Sequence, residues 1–320
     1  MVCLPGDQMN KVAFLFNSRN NYHLFDQMFF RMSNCDFIDT LIFNVDIDST
    51  QEQKEYGRQL CEQYGIIDIN MDDDPLRVAV PRTFDKIFDY IESHNLDIDW
   101  IMWSSHDNII EDKDFLINLN NFVENKEIND KVGVIGFAVK NHEIDGETVY
   151  GRATLIKEAI SKYKGSYKNL PESFLKSDYF IVESVCFTNM LVNRKLYRRF
   201  ITSDYNFKLF VFGDDISFQF MMNNIVSITV PSLEIVDGSR AKEVFGVNRA
   251  YDSYLKNNNY YHLDNTLDHT RLWFDKWGFS LFREEAREQI KNNMSRFQNT
   301  LIEKILDWDI DDGPKTLKDI

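Results

Sequence analysis

Three groups of residues in this 320-residue chain have the types and spacing to do chemistry. Asp46 and Asp48 close an apolar run at residues 40–45, and Ser105, His106 and Asp107 follow a second run at 100–103. Asp214 and Asp215 precede an apolar segment at 216–222, and a further carboxylate, Asp237, comes shortly after a late apolar run at 225–230. Carboxylates at such points can hold a divalent cation or take a proton from a weak nucleophile. A single Asp at a strand end is usually a turn former or helix cap. Three clusters in one sheet carry more weight, because ligands of open α/β sheets bind outside the carboxyl ends of the strands.

The elements that must position these residues follow from the apolar pattern. Short buried runs at 11–16, 40–45, 66–69, 100–103 and 132–139 read as strands, with helices expected at 51–64, 81–94 and 112–125 between them. Ser49 or Thr50 caps the helix at 51–64 and Gly65 ends it. A hairpin is expected around Asp145 and Gly146. A further strand at 225–230 is expected to end at Pro231, and a long helix from Ser280 carries a stripe of Phe282, Ala286, Ile290, Met294, Phe297, Leu301 and Ile305. Strands alternating with helices imply an α/β fold with a mixed, mainly parallel central sheet flanked by helices.

Composition removes several function classes. With 36 Lys and Arg against 51 Asp and Glu, the net charge of −15 leaves no basic surface for nucleic acid. No GxxxxGK[ST], GxGxxG or GxSxG sequence is present, so neither a glycine-rich phosphate loop nor a nucleophile elbow is expected. An acidic protein can still bind a diphosphate when carboxylates carry a divalent cation to it. Cys3, Cys35, Cys61 and Cys186 are too scattered for a zinc site, which suits reduced thiols in the cytoplasm. The N-terminal residues lack a signal-peptide pattern, and no apolar stretch reaches the length of a transmembrane helix. Peripheral contact with a membrane surface is left open.

The order of these elements resembles the GT-A glycosyltransferases, in particular glycosyltransferase family 2 and its rhamnosyltransferase-like members. Residues 45–50 (VDIDST) are similar to that family's VDNxST turn, and 100–107 (WIMWSSHD) to the strand ending in its DxD motif. Residues 182–197 resemble the acceptor-side segment, 212–217 (FGDDIS) resemble GEDxD, and 276–278 match a KWG found near the end of many such domains. Ser105 stands where the first Asp of DxD would be, and Asp214 where the Glu of GEDxD would be. The resemblance implies a GT-A domain over residues 1–280 with a C-terminal helical extension at 281–320. It implies that Asp46, Asp48 and Ser105 contact the nucleotide. Asp107, with His106 and Asp237, would hold Mn2+ or Mg2+. Asp215 would be the general base, with Asp214 as its substitute.

The activity so implied moves a sugar from a nucleotide diphosphate donor to a hydroxyl of a glycan or glycoconjugate, with inversion. Two rivals stand beside it: a sugar-phosphate nucleotidyltransferase, and a non-catalytic relative that binds nucleotide or glycan. The first generally carries an early glycine-rich basic loop, which residues 17–21 lack. Ser105 in place of a carboxylate is the feature that favours the second.

Overall fold

The computed structural model describes residues 11–20, 22, 25–26, 28, 40–104, 108–140, 148–151, 155, 167, 170–185, 189–207, 211–237, 266–280 and 285–320. Within them, nine strands form one mixed sheet in the order β3-β2-β1-β4-β8-β6-β9-β5, with β7 also paired to β9. β1 (Val12–Ser18), β2 (Ile42–Asp46), β3 (Ile67–Ile69) and β4 (Trp100–Ser104) are mutually parallel neighbours. Val12, Phe14 and Phe16 on one face of β1, and Ala13 and Leu15 on the other, are all buried, as expected of a central strand covered on both sides.

The helices that cover this half form where the local signals place them. α1 (Gln51–Tyr64) starts at Thr50, whose hydroxyl accepts from the Gln53 amide, and ends at Gly65 in the left-handed conformation (φ 69°). α2 (Val80–Ser93) carries Pro81 in its first turn and buries Phe84, Ile87, Phe88 and Ile91 along one face. Trp100 and Trp103 of β4 belong to the same core. Two short helices, α3 (Phe115–Val123) and α4 (Lys126–Lys131), lead into β6 (Val132–Lys140).

The second half makes the sheet mixed. After α5 (Glu172–Leu175), β7 (Phe180–Val182) lies antiparallel to β9, and β8 (Asn189–Asn193) runs antiparallel between β4 and β6. α6 (Arg194–Phe200) and α7 (Phe212–Met222) precede β9 (Val226–Asp237), which is parallel to β6. Strand β9 does not end at Pro231. The register jumps from Phe137–Val230 to Ala138–Glu234, so Pro231 sits in a bulge where its missing N–H is not needed. The two-residue β5 (Asn108–Ile109) then pairs with the end of β9. The hairpin expected around Asp145 and Gly146 lies outside the described residues; Val139 and Val149, on either side of it, exchange two backbone hydrogen bonds of 2.9 Å.

The stripe after Ser280 is not one helix. α8 (Thr266–Trp277) is followed by α9 (Ala286–Asn292), a 3-10 turn (Met294–Arg296) and α10 (Leu301–Ile305). Asn293 leaves helical geometry and Asn299 adopts φ 61°, in keeping with the preference of Asn for turns and the left-handed region. Most of the stripe is buried all the same: Ala286, Ile290, Phe297, Leu301 and Ile305 join the main core with Ile302 beside them, Met294 is half-buried against it, Phe282 lies outside the described residues, and α10 packs on α7. The tail is tied to the sheet where the Ile181 amide donates to the Lys315 carbonyl at 2.8 Å. No helix among the described residues is long and apolar enough to cross a membrane.

Two substitutions test this packing. Phe297→Ala, at a site with 0% exposure, should cost about 3–5 kcal/mol in denaturant unfolding, because the C-terminal segment is part of the core. A loss within experimental error would mean that the segment is dispensable. Gly57 of α1 faces the Tyr22 ring so closely that an added methyl would overlap it. Gly57→Ala should therefore destabilise the protein by about 1–3 kcal/mol, although Ala is the better helix former. A gain in melting temperature would contradict the packing of Tyr22 on α1.

Candidate functional site

The parallel register brings the carboxyl ends of three strands to one edge. Ser18 of β1 is level with Asp46 of β2, and Phe16 of β1 with Ser104 of β4. Below this edge lies a buried polar network. The Ser18 hydroxyl donates to Asn44 at 2.7 Å, and the Asn44 amide donates to Asp68 at 2.8 Å and to the Tyr22 hydroxyl at 3.3 Å. Tyr22 in turn donates to Asp46 at 2.9 Å. Burial, then the Asp46 charge, holds the Tyr22 hydroxyl far above its ordinary pKa, so it stays a donor. Burial likewise raises the Asp68 carboxyl.

Asp46 and Asp48 are brought together, each with internal partners. Asp46 accepts from the backbone amides of Asp48 (3.0 Å) and Ser49 (2.8 Å), an Asx turn that shapes the loop into α1. Asn20 reaches across from the end of β1: its amide donates to the Ser49 hydroxyl and its side chain accepts from the Thr50 amide, both at 2.8 Å. Asp48 lies at φ 120°, and its carboxylate is paired with Arg77 at 2.8 Å and Arg19 at 3.6 Å. Sequence reasoning missed both arginines. Arg77 follows the acidic turn at 72–74, which showed no sign of reaching β2; there Asp74 binds Arg82 at 2.8 Å and acts as an anchor for α2.

The second cluster is described only at its margins. Ser105, His106 and Asp107 lie outside the described residues, and Asp237 is described in its backbone alone. The backbone still relates them: Asn108, the residue after Asp107, is paired with Asp237 in the β5–β9 ladder. The pairing brings the start of β5 and the end of β9 together, although 129 positions separate Asn108 from Asp237 in the sequence. Among the described residues no group of three or more His, Cys, Asp and Glu could hold a metal ion.

The third cluster lies inside α7 and not before it. Asp214 and Asp215 occupy the first turn, both 3% exposed, where the helix dipole favours carboxylates. Val211 precedes the helix at φ 54°, a conformation that β-branched residues rarely adopt. The turn abuts the strand edge, since the Phe212 ring meets Trp103 of β4 edge-on at 5.3 Å and Trp103 donates to Asn17 at 3.0 Å. Asp214 accepts from the Ser184 hydroxyl at 2.5 Å. Asp215 accepts from Gln219 at 2.8 Å, from the Trp277 indole at 2.9 Å and from the Lys276 ammonium at 2.8 Å. Burial pushes the Asp215 carboxyl above the usual carboxylate range, and Lys276, Trp277 and Gln219 pull it part of the way back. The sequence marked residues 276–278 as a motif but gave them no task.

No protein-family model matches this sequence, and neither does any curated protein. Solved structures do match in fold. One is GalNAc-T7 with UDP, GalNAc and Mn2+, at TM-score 0.51 and 8% identity, covering 72% of this chain and 44% of that one. Another is the mannosyltransferase PcManGT from Pyrobaculum calidifontis in complex with GDP-Man and Mn2+, at TM-score 0.49 and 12% identity, covering 77% of this chain and 60% of that one. This chain therefore spans less than two thirds of the length of either. The sheet order, the antiparallel β8 between β4 and β6, and the match to GalNAc-T7 identify the architecture as the GT-A glycosyltransferase fold.

Proposed function

We propose that this chain is an inverting, metal-assisted glycosyltransferase, moving a hexose-type sugar from a nucleotide diphosphate donor to a hydroxyl of a glycan or glycoconjugate. The observation that carries this reading is the meeting of three polar turns at one sheet edge: the Asp46–Asp48 loop, the end of β4, and the Asp214–Asp215 turn seated on Trp103. The GT-A neighbour GalNAc-T7 was solved with UDP and Mn2+, which fits a nucleotide donor and a divalent ion for this chain. Free, buried Cys61 fits a reducing cytoplasm.

On the donor side, Asp46 and Asp48 would meet the nucleotide through the loop they shape after β2, with Ser105 as a further contact in this reading. Arg19 and Arg77 place two guanidinium groups at this edge, a chemistry suited to phosphate oxygens. Asp107, His106 and Asp237 would hold Mn2+ or Mg2+: oxygen and imidazole donors suit these ions, and the Asn108–Asp237 pairing supports a shared site. Bound there, such an ion would offset the charge gained by the departing diphosphate.

For the base, the geometry favours reversing the order drawn from sequence. A carboxylate has about four acceptor positions, and at Asp215 Lys276, Trp277 and Gln219 compete for them. An anion so engaged is a poor proton acceptor and a good anchor. Asp214, on the Ser184 hydroxyl in the same turn, takes the acceptor hydroxyl's proton in this reading.

Three measurements test the reading. Incubation with a panel of nucleotide sugars should release nucleoside diphosphate, faster with an acceptor than without. Asp214→Asn should fold, bind donor and transfer at least about 100-fold more slowly. Near-normal turnover of that variant at saturating substrates would remove Asp214 from the chemistry. Calorimetry should show weak Mn2+ binding by the free protein and much tighter binding with nucleoside diphosphate, because the protein's own donor set is incomplete. Equal binding in both cases, or full activity in excess chelator, would count against a metal-assisted transfer.

A further inference from the structure

Asp215 sits where two costly features coincide. Its carboxylate is 3% exposed beside a second buried carboxylate, Asp214, and the chain enters this turn through Val211 at positive φ. A buried charge pair is often no more stabilising than an apolar pair of the same volume, so packing alone is a weak reason for it. What the pair provides here is a fixed orientation. Lys276 and Trp277 come from the last turn of α8, and Gln219 from the next turn of α7. All three donate and Asp215 accepts at both oxygens, an arrangement that favours the anion.

Each partner is itself held. The Gln219 amide exchanges hydrogen bonds with the backbone of Thr202, at 2.8 Å and 3.1 Å. The Lys276 ammonium also reaches Asp204 at 3.4 Å and lies 5.3 Å from the Phe207 ring centre. Arg296, from the 3-10 turn beyond α9, donates to the carbonyls of Lys276 (2.8 Å) and Trp277 (2.9 Å). Those carbonyls end α8, where orphan acceptors need partners. Orientation therefore passes from the C-terminal segment through α8 to the first turn of α7.

We infer that Lys276, with Trp277, is a positioning residue: it clamps Asp215 so that the adjacent Asp214 is presented in one orientation to the reacting hydroxyl. This rests on the glycosyl-transfer reading above. A clamp of this kind acts on the chemical step and not on donor affinity, because none of its members lies in the Asp46–Asp48 loop.

The test uses the full chain with Lys276→Gln, which keeps a hydrogen-bond donor on a slightly shorter side chain but removes the charge, and with Lys276→Arg, which restores a cation. Nucleoside diphosphate release, donor affinity by calorimetry and melting temperature are measured for each. Lys276→Gln should lose roughly 10- to 100-fold in kcat, as expected for a misplaced reacting group, with donor Kd changed by no more than about threefold. Lys276→Arg should recover part of that kcat. Lys276→Gln with kcat within about twofold of wild type, or with its whole loss in donor Kd, would overturn the role. If Lys276→Gln does not fold, Trp277→Phe, which removes the indole donor to Asp215, decides: a reduced kcat at unchanged donor Kd supports the clamp, and wild-type kcat overturns it. A wild-type chain that releases nucleoside diphosphate from no donor would instead overturn the proposed function itself.

Discussion

The constraint on which the site depends is the burial of two neighbouring carboxylates in the first turn of α7. A buried charge is tolerated only when it is paired and hydrogen-bonded, and the donors for Asp214 and Asp215 come from distant parts of the chain. Ser184 follows β7, Gln219 is one helical turn on, and Lys276 and Trp277 end α8. Arg296 fixes those last two from the segment beyond. The packing of the described C-terminal segments, from α8 onward, against α7 thus has an electrostatic reason as well as an apolar one. Phe218, Trp273, Trp277, Phe279 and Phe297 supply the apolar part, as a cluster of rings around the same helix.

The other half of the edge solves a similar problem with neutral groups. Asn44 sits in the middle of β2 with 0% exposure, where an apolar side chain would ordinarily go. It accepts from Ser18 and donates to Asp68 and Tyr22, so its amide is well used. Tyr22 passes the chain of hydrogen bonds up to Asp46, whose other oxygen holds the loop amides. The two halves differ in what they fix. The Asp46 side sets the shape of a loop, and the Asp215 side sets the orientation of a charged turn.

Much of the fold was legible because its signals are local. The apolar runs at 40–45 and 100–103, the Thr50 cap, Gly65 and Pro81 each specify an element without help from elsewhere, and each element is found in place. The exceptions are governed by distant contacts. Pro231 is carried through β9 because strand β6 accommodates a bulge opposite it. The stripe from Ala286 to Ile305 keeps its burial but not its helix, since Asn293 and Asn299 turn the chain to follow the surface of α7. At the site, the carboxylates were visible because Asp stands out at the end of an apolar run. Their partners were not. Tyr22, Arg77 and Ser184 are ordinary residues until the fold brings them within 3 Å of a carboxylate, and Lys276, marked only as part of a motif, gains its task in the same way.

Backbone strain gives an independent line to the same place. Among the described residues, six that are not glycine have positive φ: Asn20, Asp48, Asn95, Val211, Asn224 and Asn299. Four are Asn, which tolerates this region because its short amide can bond to the local backbone. Asp shares that tolerance only near the left-handed helical value of about 57°, so the two outside it are Asp48 at 120° and the β-branched Val211 at 54°. One lies in the loop after β2, and the other immediately before the Asp214–Asp215 turn. Such conformations cost about 1–3 kcal/mol each and persist only where surrounding contacts over-determine them. Asp48 is held by Arg19 and Arg77, and Val211 by the Asp215 amide, which donates to its carbonyl at 2.8 Å, together with the clamp on the Asp215 carboxylate. Among the described residues, strain of this kind falls at the two turns that carry the candidate chemistry. An unstrained turn with a Ser or Asn cap would end β2 or begin α7 equally well, so the strain at both turns supports the role proposed for their carboxylates.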